Sequence, residues 1–251
     1  MLERLHIISL NVHHLSFKQS LDVVMQWVLI RKPSYICFAN VHMIIEAYKD
    51  KSFLEKVHNA DMVLADGKPV AIACKILHHK KQERISGMDF APRILEKANE
   101  NDLSVFIYGS TNEVHNAIKE KINFSYPRIS LAGFISPPFT QPTENEIIND
   151  VEKINRSGAH IVLVALGCPK QEKWMAENSN KINAVLLGIG GALPVIAGIQ
   201  KRAPTWMQNM ALEWLYRLIQ QPGRLFTRYV YTNSCFIFLL GRDWIKTFLK
   251  K

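Results

Sequence analysis

The chain has 251 residues, of which 48% are hydrophobic and 21% are charged. This balance predicts one sizeable hydrophobic core, and it excludes wholesale disorder and an integral membrane protein. The net charge of +9 is unevenly placed, because residues 201–251 hold nine Lys and Arg against two Asp and Glu and so carry +7.

Short apolar runs alternate with longer amphipathic stretches through the first 197 residues. Apolar strands interleaved with helices predict an α/β fold, in which helices cover both faces of a mostly parallel sheet. Such a sheet binds ligands beyond the carboxyl ends of its strands. The predicted strands are 5–10, 34–40, 62–66, 104–109, 128–134, 160–167 and 184–191, and the predicted helices are 16–31, 41–58, 69–79, 89–101, 111–122, 143–156 and 169–181.

The pattern changes after residue 197. Aromatic and apolar residues recur at helical spacing over 206–219, and a Pro-Gly break follows at 222–223. We therefore expect a body over 1–197 and a helical appendage over 198–251. Ten of the 24 aromatic residues fall in 201–251. A basic and aromatic segment favours an anionic membrane surface, although it also fits nucleic acid or a basic end that packs on the body.

The remaining composition predicts a reduced, metal-free protein. The four cysteines lie far apart in apolar runs, which is typical of buried thiols. The nine histidines form no HExxH motif, and there is no DxD motif, so we expect no metal. The first residues lack the pattern of a secretory signal, and no apolar run reaches the roughly 18 residues of a spanning helix. These features predict a cytoplasmic location.

Two predicted strands end in polar residues that suit sugar chemistry. Asp66 ends the strand over 62–66 and Gly67 follows it; a carboxylate there can act as a general base, and a glycine lets a ligand approach the backbone. Asn40 ends the strand over 34–40, and its amide can recognise sugar hydroxyls. Both residues are equally ordinary helix caps, and for Asp66 the cap is the commoner use.

Two later turns are candidate phosphate sites. Lys170, Gln171 and Glu172 lie in the first turn of a predicted helix, whose amide groups and lysine charge suit a nucleotide diphosphate. Glu172 also fits simple compensation of the helix dipole. Gly190 and Gly191 end the last predicted strand, but this glycine pattern is neither a P-loop nor a dinucleotide fingerprint.

Four arginines of the appendage are candidate phosphate ligands. Arginine binds phosphate through two parallel hydrogen bonds, so a diphosphate-linked lipid is a fitting target. A solvated basic face is the alternative for any one of them. They are Arg202, Arg217, Arg224 and Arg228.

A series of motifs in a fixed order resembles the WecG/TagA/CpsF glycosyltransferase family. The series covers most of residues 5–230. It comprises FANVHMI (38–44), ADMVLADGKPV (60–70), ERISGMD (83–89), LVALGCPKQEKW (163–174), GIGGALPVIAGIQKRAPTW (188–206) and LEWLYRLIQQPGRLFTRY (212–229).

The resemblance implies a Rossmann-like body and an inverting, metal-independent transfer from a UDP-sugar, with no cofactor. The implied acceptor is a polyprenyl-diphosphate-linked glycan at the inner face of the cell membrane, in the synthesis of teichoic acid or another surface polysaccharide. Asp66 matches the proposed base and Asn40 lines the same pocket. Arg84 and Asp89, within ERISGMD, join the expected substrate-binding residues. The appendage is expected to close the site at the membrane, and a homo-oligomer is possible.

Two departures leave the donor sugar open. Phe38 stands where the family often has Thr, and Leu193-Pro194 stand where many members have Phe-Asp. N-acetylmannosamine, N-acetylmannosaminuronic acid and glucose are all compatible with the motifs. Two other functions stay open on composition alone: a nicotinamide-dependent oxidoreductase and a non-enzymatic membrane or nucleic-acid adaptor. We expect no nucleic-acid partner.

Overall fold

The computed structural model describes residues 2–138, 142–210 and 212–249, without the side chains of Asn209, Arg224 and Phe248. Its first element is a hairpin and not the single strand predicted over 5–10. Strands β1 (Arg4–Ile7) and β2 (Leu10–His13) pair antiparallel across a turn at Ile8, which has a φ of 58°. The prediction of one strand is wrong because Ile8, an apolar residue inside the predicted strand, lies in this tight turn.

The main sheet has six strands in the described part of the chain. They are β3 (Ser34–Ala39), β4 (Met62–Ala65), β5 (Ser104–Gly109), β6 (Ser130–Ile135), β7 (Ile161–Ala165) and β8 (Val185–Gly188). Their order across the sheet is β4-β3-β8-β7-β5-β6, and every neighbouring pair is parallel. The predicted Rossmann-like α/β class is thereby confirmed.

Helices cover both faces of this sheet, as the alternation predicts. They are α1 (Phe17–Leu29), α2 (Val41–Lys49), α3 (Lys51–His58), α4 (Lys68–His78), α5 (Gly87–Glu100), α6 (Asn112–Ser125), α7 (Glu144–Arg156), α8 (Lys170–Asn178), α9 (Leu193–Ile196), α10 (Thr205–Asn209), α11 (Glu213–Gln220) and α12 (Pro222–Phe248). One hydrophobic cluster packs α1, α5, α6 and α9 on one face of the sheet. The other cluster packs the hairpin, α2, α3, α4, α7 and α8 on the opposite face.

Two predicted helices are each divided in two. The helix over 41–58 breaks at Asp50, which ends α2 and whose side chain accepts a hydrogen bond from the Phe53 amide at 3.1 Å to begin α3. The stretch 206–219 forms α10 and α11. Pro222 occupies the first turn of α12, where its missing amide hydrogen has no helical partner to lose.

The described appendage packs closely on the body. Helix α12 runs against α2 and α4. Phe236 and Leu239 of α12 are buried in the same cluster as Met43 and Val70 of the body. The appendage therefore contributes to the core on one face of the sheet, and the boundary at residue 197 stays a prediction.

Candidate active site

A cavity of about 330 Å³ lies at the carboxyl ends of β3, β4, β7 and β8, with α11 and α12 on its other side. This is the place where parallel sheets bind ligands. Nine residues singled out from the sequence line it: Asn40, Asp66, Gly67, Arg84, Gln171, Gly190, Gly191, Arg217 and Arg228.

Asp66 continues the line of β4 into the cavity. Its amide donates a hydrogen bond to the Ala39 carbonyl at 2.9 Å, which extends the pairing with β3. The residue that caps α4 is Gly67, with a φ of 91° and no side-chain cap hydrogen bond. The interpretation of Asp66 as the cap of α4 is therefore wrong, because its carboxylate does not begin that helix.

The surroundings of Asp66 raise its basicity. Burial raises the pKa of the Asp66 carboxyl to about 7, and the negative charges of Glu213 and Asp89 act in the same direction. The nearby charges of Arg84 and Arg217 pull that pKa down but do not cancel the effect of burial. A carboxylate with a pKa near neutrality is a stronger proton acceptor than an ordinary one and is still substantially ionised at pH 7.

Asn40 is both a cap and a cavity residue. Its Oδ1 atom accepts a hydrogen bond from the Met43 amide at 3.1 Å and so begins α2. The cap uses the amide oxygen, whereas the hydrogen-bond donors of the side chain are on Nδ2. The alternative drawn from the sequence, a helix cap, is correct without removing Asn40 from the cavity wall.

Gln171 ties together the turns that follow β7 and β8. Its Oε1 atom accepts from the Gly167 amide at 3.1 Å, and its Nε2 atom donates to the Gly188 carbonyl at 2.9 Å. A Cβ atom at Gly190 would lie 3.0 Å from Gln171 Oε1, and the φ of Gly190 is 47°. The glycine is thus required by the close packing of the two turns.

Lys170 and Glu172, the sequence neighbours of Gln171, do not line the cavity. Lys170 is exposed and is not among the cavity-lining residues. Glu172 is fully buried and accepts a hydrogen bond from Gln171 Nε2 at 2.7 Å. This corrects the expectation that Glu172 contacts substrate, since consecutive residues of a helix point in different directions and Glu172 points into the protein.

Asp89 and Arg202 lie in an ion-pair ring beside the cavity. Arg84 donates to Asp89 Oδ2 at 2.5 Å through Nη2 and to Glu213 Oε2 at 2.9 Å through Nη1. Arg202 pairs with Asp89 Oδ1 at 2.6 Å and with Glu213 Oε1 at 3.5 Å. The ring joins the start of α5 to α11, so Asp89 and Arg202 hold the appendage over the cavity without lining it.

The electrostatics of Asp89 agree with this ring. Burial alone favours the neutral carboxyl, but the hydrogen bond from Ser86 and the charges of Arg84 and Arg202 outweigh burial and lower the pKa of Asp89. Asp89 therefore carries a negative charge at neutral pH. Two arginines and two carboxylates leave the ring with no net charge.

Two arginines of the appendage reach the cavity. Arg217 Nη2 lies 3.4 Å from the Gly191 carbonyl oxygen, and a Cβ atom at Gly191 would approach the same nitrogen to 2.6 Å. Arg228 lines the cavity from α12. The side chain of Arg224 lies outside the described residues.

A model of the glycosyl transferase WecG/TagA/CpsF family matches residues 5–249 of the chain. The chain belongs to this family. The match spans both the body and the appendage, and it confirms the resemblance seen in the motif series.

Relatives within the family are similar over three quarters of the chain. A protein of Bacillus subtilis (strain 168) is 33% identical over 190 residues, which cover 75% of this chain and 72% of the relative. A protein of Staphylococcus aureus (strain MRSA252) is 33% identical over 198 residues, which cover 76% and 75%. Each is an N-acetylglucosaminyldiphosphoundecaprenol N-acetyl-beta-D-mannosaminyltransferase.

The family departures also lie at the cavity. Phe38 lines it and packs against Phe90 with ring centroids 5.5 Å apart. Leu193 is fully buried, whereas Pro194 lines the cavity. Apolar side chains thus stand at Phe38 and Pro194 on this wall.

Sequence reasoning missed several residues of the cavity wall. His42 lies two residues after Asn40, and burial together with the charge of Arg228 lowers the pKa of its ring. Glu213 joins the ion-pair ring. Four glutamine side chains that follow the glycine-rich turn in sequence also line the cavity. The number of glutamines between residues 200 and 221 is the sequence feature that could have indicated them: Gln200, Gln208, Gln220 and Gln221.

The described residues hold no group of three His, Cys, Asp or Glu side chains placed to bind a metal ion. Among the helices of the same residues, none combines the length and the apolar character that a membrane crossing demands.

The buried carboxyl of Glu172 can be tested by measuring thermal stability, without an activity assay. Burial raises the pKa of Glu172 to about 7, and the hydrogen bond from Gln171 opposes that rise. Because the folded-state pKa lies above the ordinary value of a glutamate carboxyl, 4.5, folding favours the protonated form. The stability contributed by protonation is present below the unfolded pKa and is lost as the pH rises through the folded pKa.

Glu172→Gln should therefore raise the melting temperature relative to the native protein at pH 8, and much less at pH 5. The measurement is thermal unfolding across this pH range. Glu120→Gln, at an exposed position on α6, is the matched control and should show no pH-dependent difference. A constant offset for Glu172→Gln at every pH would contradict the buried, pKa-shifted carboxyl.

Proposed function

We propose that this chain transfers N-acetylmannosamine from a UDP-sugar donor to an N-acetylglucosaminyl diphosphate polyprenol. The observation that carries the proposal is that Asp66, whose pKa is raised, and the arginines Arg84, Arg217 and Arg228 line one cavity. The activity named for two relatives supports the acceptor and the sugar. The product would serve the synthesis of teichoic acid or a similar cell-surface polymer.

The proposed chemistry is a direct displacement with inversion. Asp66 accepts the proton of an acceptor hydroxyl while that oxygen attacks the anomeric carbon of the sugar. The bond from the anomeric carbon to the diphosphate breaks on the opposite face, and UDP leaves with the electron pair. Asn40 is proposed to position sugar hydroxyls. One new glycosidic bond replaces one sugar–phosphate bond, and the anomeric configuration inverts.

Protein cations and amides are proposed to stabilise the leaving diphosphate in place of a metal. Arg217 and Arg228 line the cavity, and Arg84 faces it while tied into the ion-pair ring. The amides of Gly190 and Gly191 and the first turn of α8 add dipoles of the same sign. Lys170 adds positive charge at that turn. Guanidinium groups bind phosphate oxygens in pairs and so suit this role.

We propose that the appendage docks on an anionic membrane surface at the cytoplasmic face. The +7 charge of residues 201–251 attracts such a surface, since each basic residue near it contributes on the order of 1 kcal/mol. Exposed apolar side chains on the same segment add interfacial burial. They include Trp206, Met210, Phe226, Phe238 and Ile245.

The deciding assay incubates purified protein with UDP-N-acetylmannosamine and N-acetylglucosaminyl diphosphate undecaprenol in detergent, in excess EDTA. We expect a disaccharide-linked lipid with an inverted anomeric centre, formed at the same rate with and without the chelator. UDP-N-acetylglucosamine and UDP-glucose, as alternative donors, should react more slowly.

Two results would contradict parts of the proposal separately. Activity abolished by EDTA and restored by Mg²⁺ or Mn²⁺ would overturn the metal-independent mechanism. Thermal stabilisation by NAD and not by UDP, with no transfer to the lipid, would overturn the transferase assignment, because a ligand of the native state raises its melting temperature.

A further inference from the structure

A second hollow of about 830 Å³ lies between α4 and α12 and is almost wholly apolar. Its walls include Ile72 and Ile76 of α4 and Ile237, Leu240 and Trp244 of α12. Ile72 is 50% exposed and Ile237 is 70% exposed. We call this hollow the α4–α12 groove. A contiguous exposed apolar surface of this kind indicates a binding site.

The α4–α12 groove adjoins the candidate active-site cavity. Four residues line both hollows: Val41, Pro69, Trp214 and Asn233. A ligand held in the cavity can therefore reach the groove by passing over these four residues. The cavity offers the polar and cationic side chains, and the groove offers the apolar ones.

Helix α12 orders these two chemistries along its length. Arg228 and Thr232 line the cavity, Asn233 lines both hollows, and Leu240 and Trp244 line the groove. From Arg228 to Trp244 the helix rises about 24 Å, at about 1.5 Å per residue. An amphiphile with an anionic head and a long apolar chain matches this order of charge first and apolar surface after it.

We infer that the α4–α12 groove holds the first isoprene units of a polyprenyl diphosphate acceptor. This inference rests on the proposed function, which places the diphosphate of that acceptor in the cavity. The isoprenoid chain is joined directly to the diphosphate, so it must leave the cavity through an adjoining apolar surface or through water. The groove provides the apolar path.

Side chains of α12 outside the groove have a different role. Phe238 and Ile245 are 72% and 52% exposed and lie outside the groove wall. They belong to the surface proposed to meet the bilayer. The groove side chains come from both α4 and α12, so they line a hollow between the two helices.

The test compares two acceptors that share a head group. One is N-acetylglucosaminyl diphosphate undecaprenol, and the other is the same diphosphate sugar as its ethyl ester, which has no apolar chain. In the full-length protein, Ile72→Gln combined with Ile76→Gln should raise KM for the undecaprenyl acceptor about tenfold, the ratio that corresponds to about 1.4 kcal/mol. KM for the ethyl acceptor and kcat for both should stay unchanged.

Ile148→Gln is the matched control. Ile148 is 49% exposed on α7 and does not line the groove. It should leave KM for both acceptors unchanged. An equal KM for the undecaprenyl acceptor in the native protein and the groove variant would overturn the groove while leaving the transferase function intact.

A binding measurement separates the groove from the catalytic proposal. Trp214 and Trp244 line the groove, so undecaprenyl diphosphate in detergent should change the tryptophan fluorescence. The groove variant should bind that lipid about tenfold more weakly. If neither acceptor is glycosylated but this weakening is found, the groove stands and the proposed reaction fails.

Two further outcomes assign the groove to another occupant. The variant could lose affinity for phosphatidylglycerol vesicles while keeping full affinity for undecaprenyl diphosphate, which would assign the groove to the bilayer. It could instead change the oligomeric state in sedimentation, which would assign the groove to a second copy of the chain. Either result would overturn the inference.

Discussion

Asp66→Asn should lower kcat by roughly 10²–10⁴, the usual contribution of general acid–base catalysis. The substitution keeps the shape of the side chain but removes the proton acceptor. Asp66 lies directly after β4 in the cavity, and burial raises the pKa of its carboxyl to about 7. The measurement is steady-state transfer from UDP-N-acetylmannosamine to the lipid-linked acceptor.

The matched control is Asp22→Asn, at an exposed position on α1. It should retain native turnover. Asp66→Asn should still be stabilised by UDP in thermal unfolding, because the base is not required to hold the nucleotide. Near-normal turnover in Asp66→Asn would remove Asp66 from the role of base.

The pH dependence should carry the signature of this carboxyl. The base must be ionised to accept a proton, so kcat/KM of the native protein should rise as the pH passes through about 7 and then level off. Because the folded pKa is raised, the stability that protonation of Asp66 contributes is lost between its unfolded and folded pKa values. Asp66→Asn should therefore melt at a higher temperature than the native protein above pH 7.

The strand ends explain why part of the site could be predicted. Parallel strands bring their carboxyl ends to one edge of a sheet, so residues that follow β3, β4 and β8 must converge there. Asn40, Asp66 and Gly190 were found on this basis, and all three line the cavity. Their convergence needs only the order of the elements and the direction of the strands.

Residues held by distant partners could not be placed in the same way. Arg84 contacts Glu213 across 129 positions of sequence, and no local pattern predicts which carboxylate an arginine will meet. Ion pairs in the same ring hold the Asp89 and Arg202 side chains beside the cavity, so neither lines its wall. The direction of a side chain in a short helical turn is also hard to predict, so Glu172 was grouped with Gln171 although it points into the core.

The packing of the appendage determines how its role is best tested. Removing residues 198–251 would take Phe236 and Leu239 out of the core cluster that they share with α2 and α4. A truncated chain would thus combine loss of function with exposure of that core. Point substitutions at the cavity separate the two effects.

Arg217→Ala combined with Arg228→Ala should lower kcat/KM on the order of 10³, since loss of one preorganised charge-stabilising donor costs about 10²–10³. Both side chains line the cavity, and neither belongs to the four-residue ion-pair ring. The melting temperature should change little, because the described contact of Arg217 with Gly191 is long at 3.4 Å. Transfer kinetics and thermal unfolding on the same preparations check both expectations.

The control must remove the same charge from the appendage without touching the cavity. Arg242→Ala combined with Lys246→Ala does so, because both residues lie on α12 outside the cavity wall. Each pair lowers the net charge by the same amount, so vesicle co-sedimentation should fall equally. Only the cavity pair should lose turnover on the water-soluble ethyl acceptor. Equal losses of that turnover in both double variants would show that these arginines act through the overall charge of the appendage and not on the leaving diphosphate.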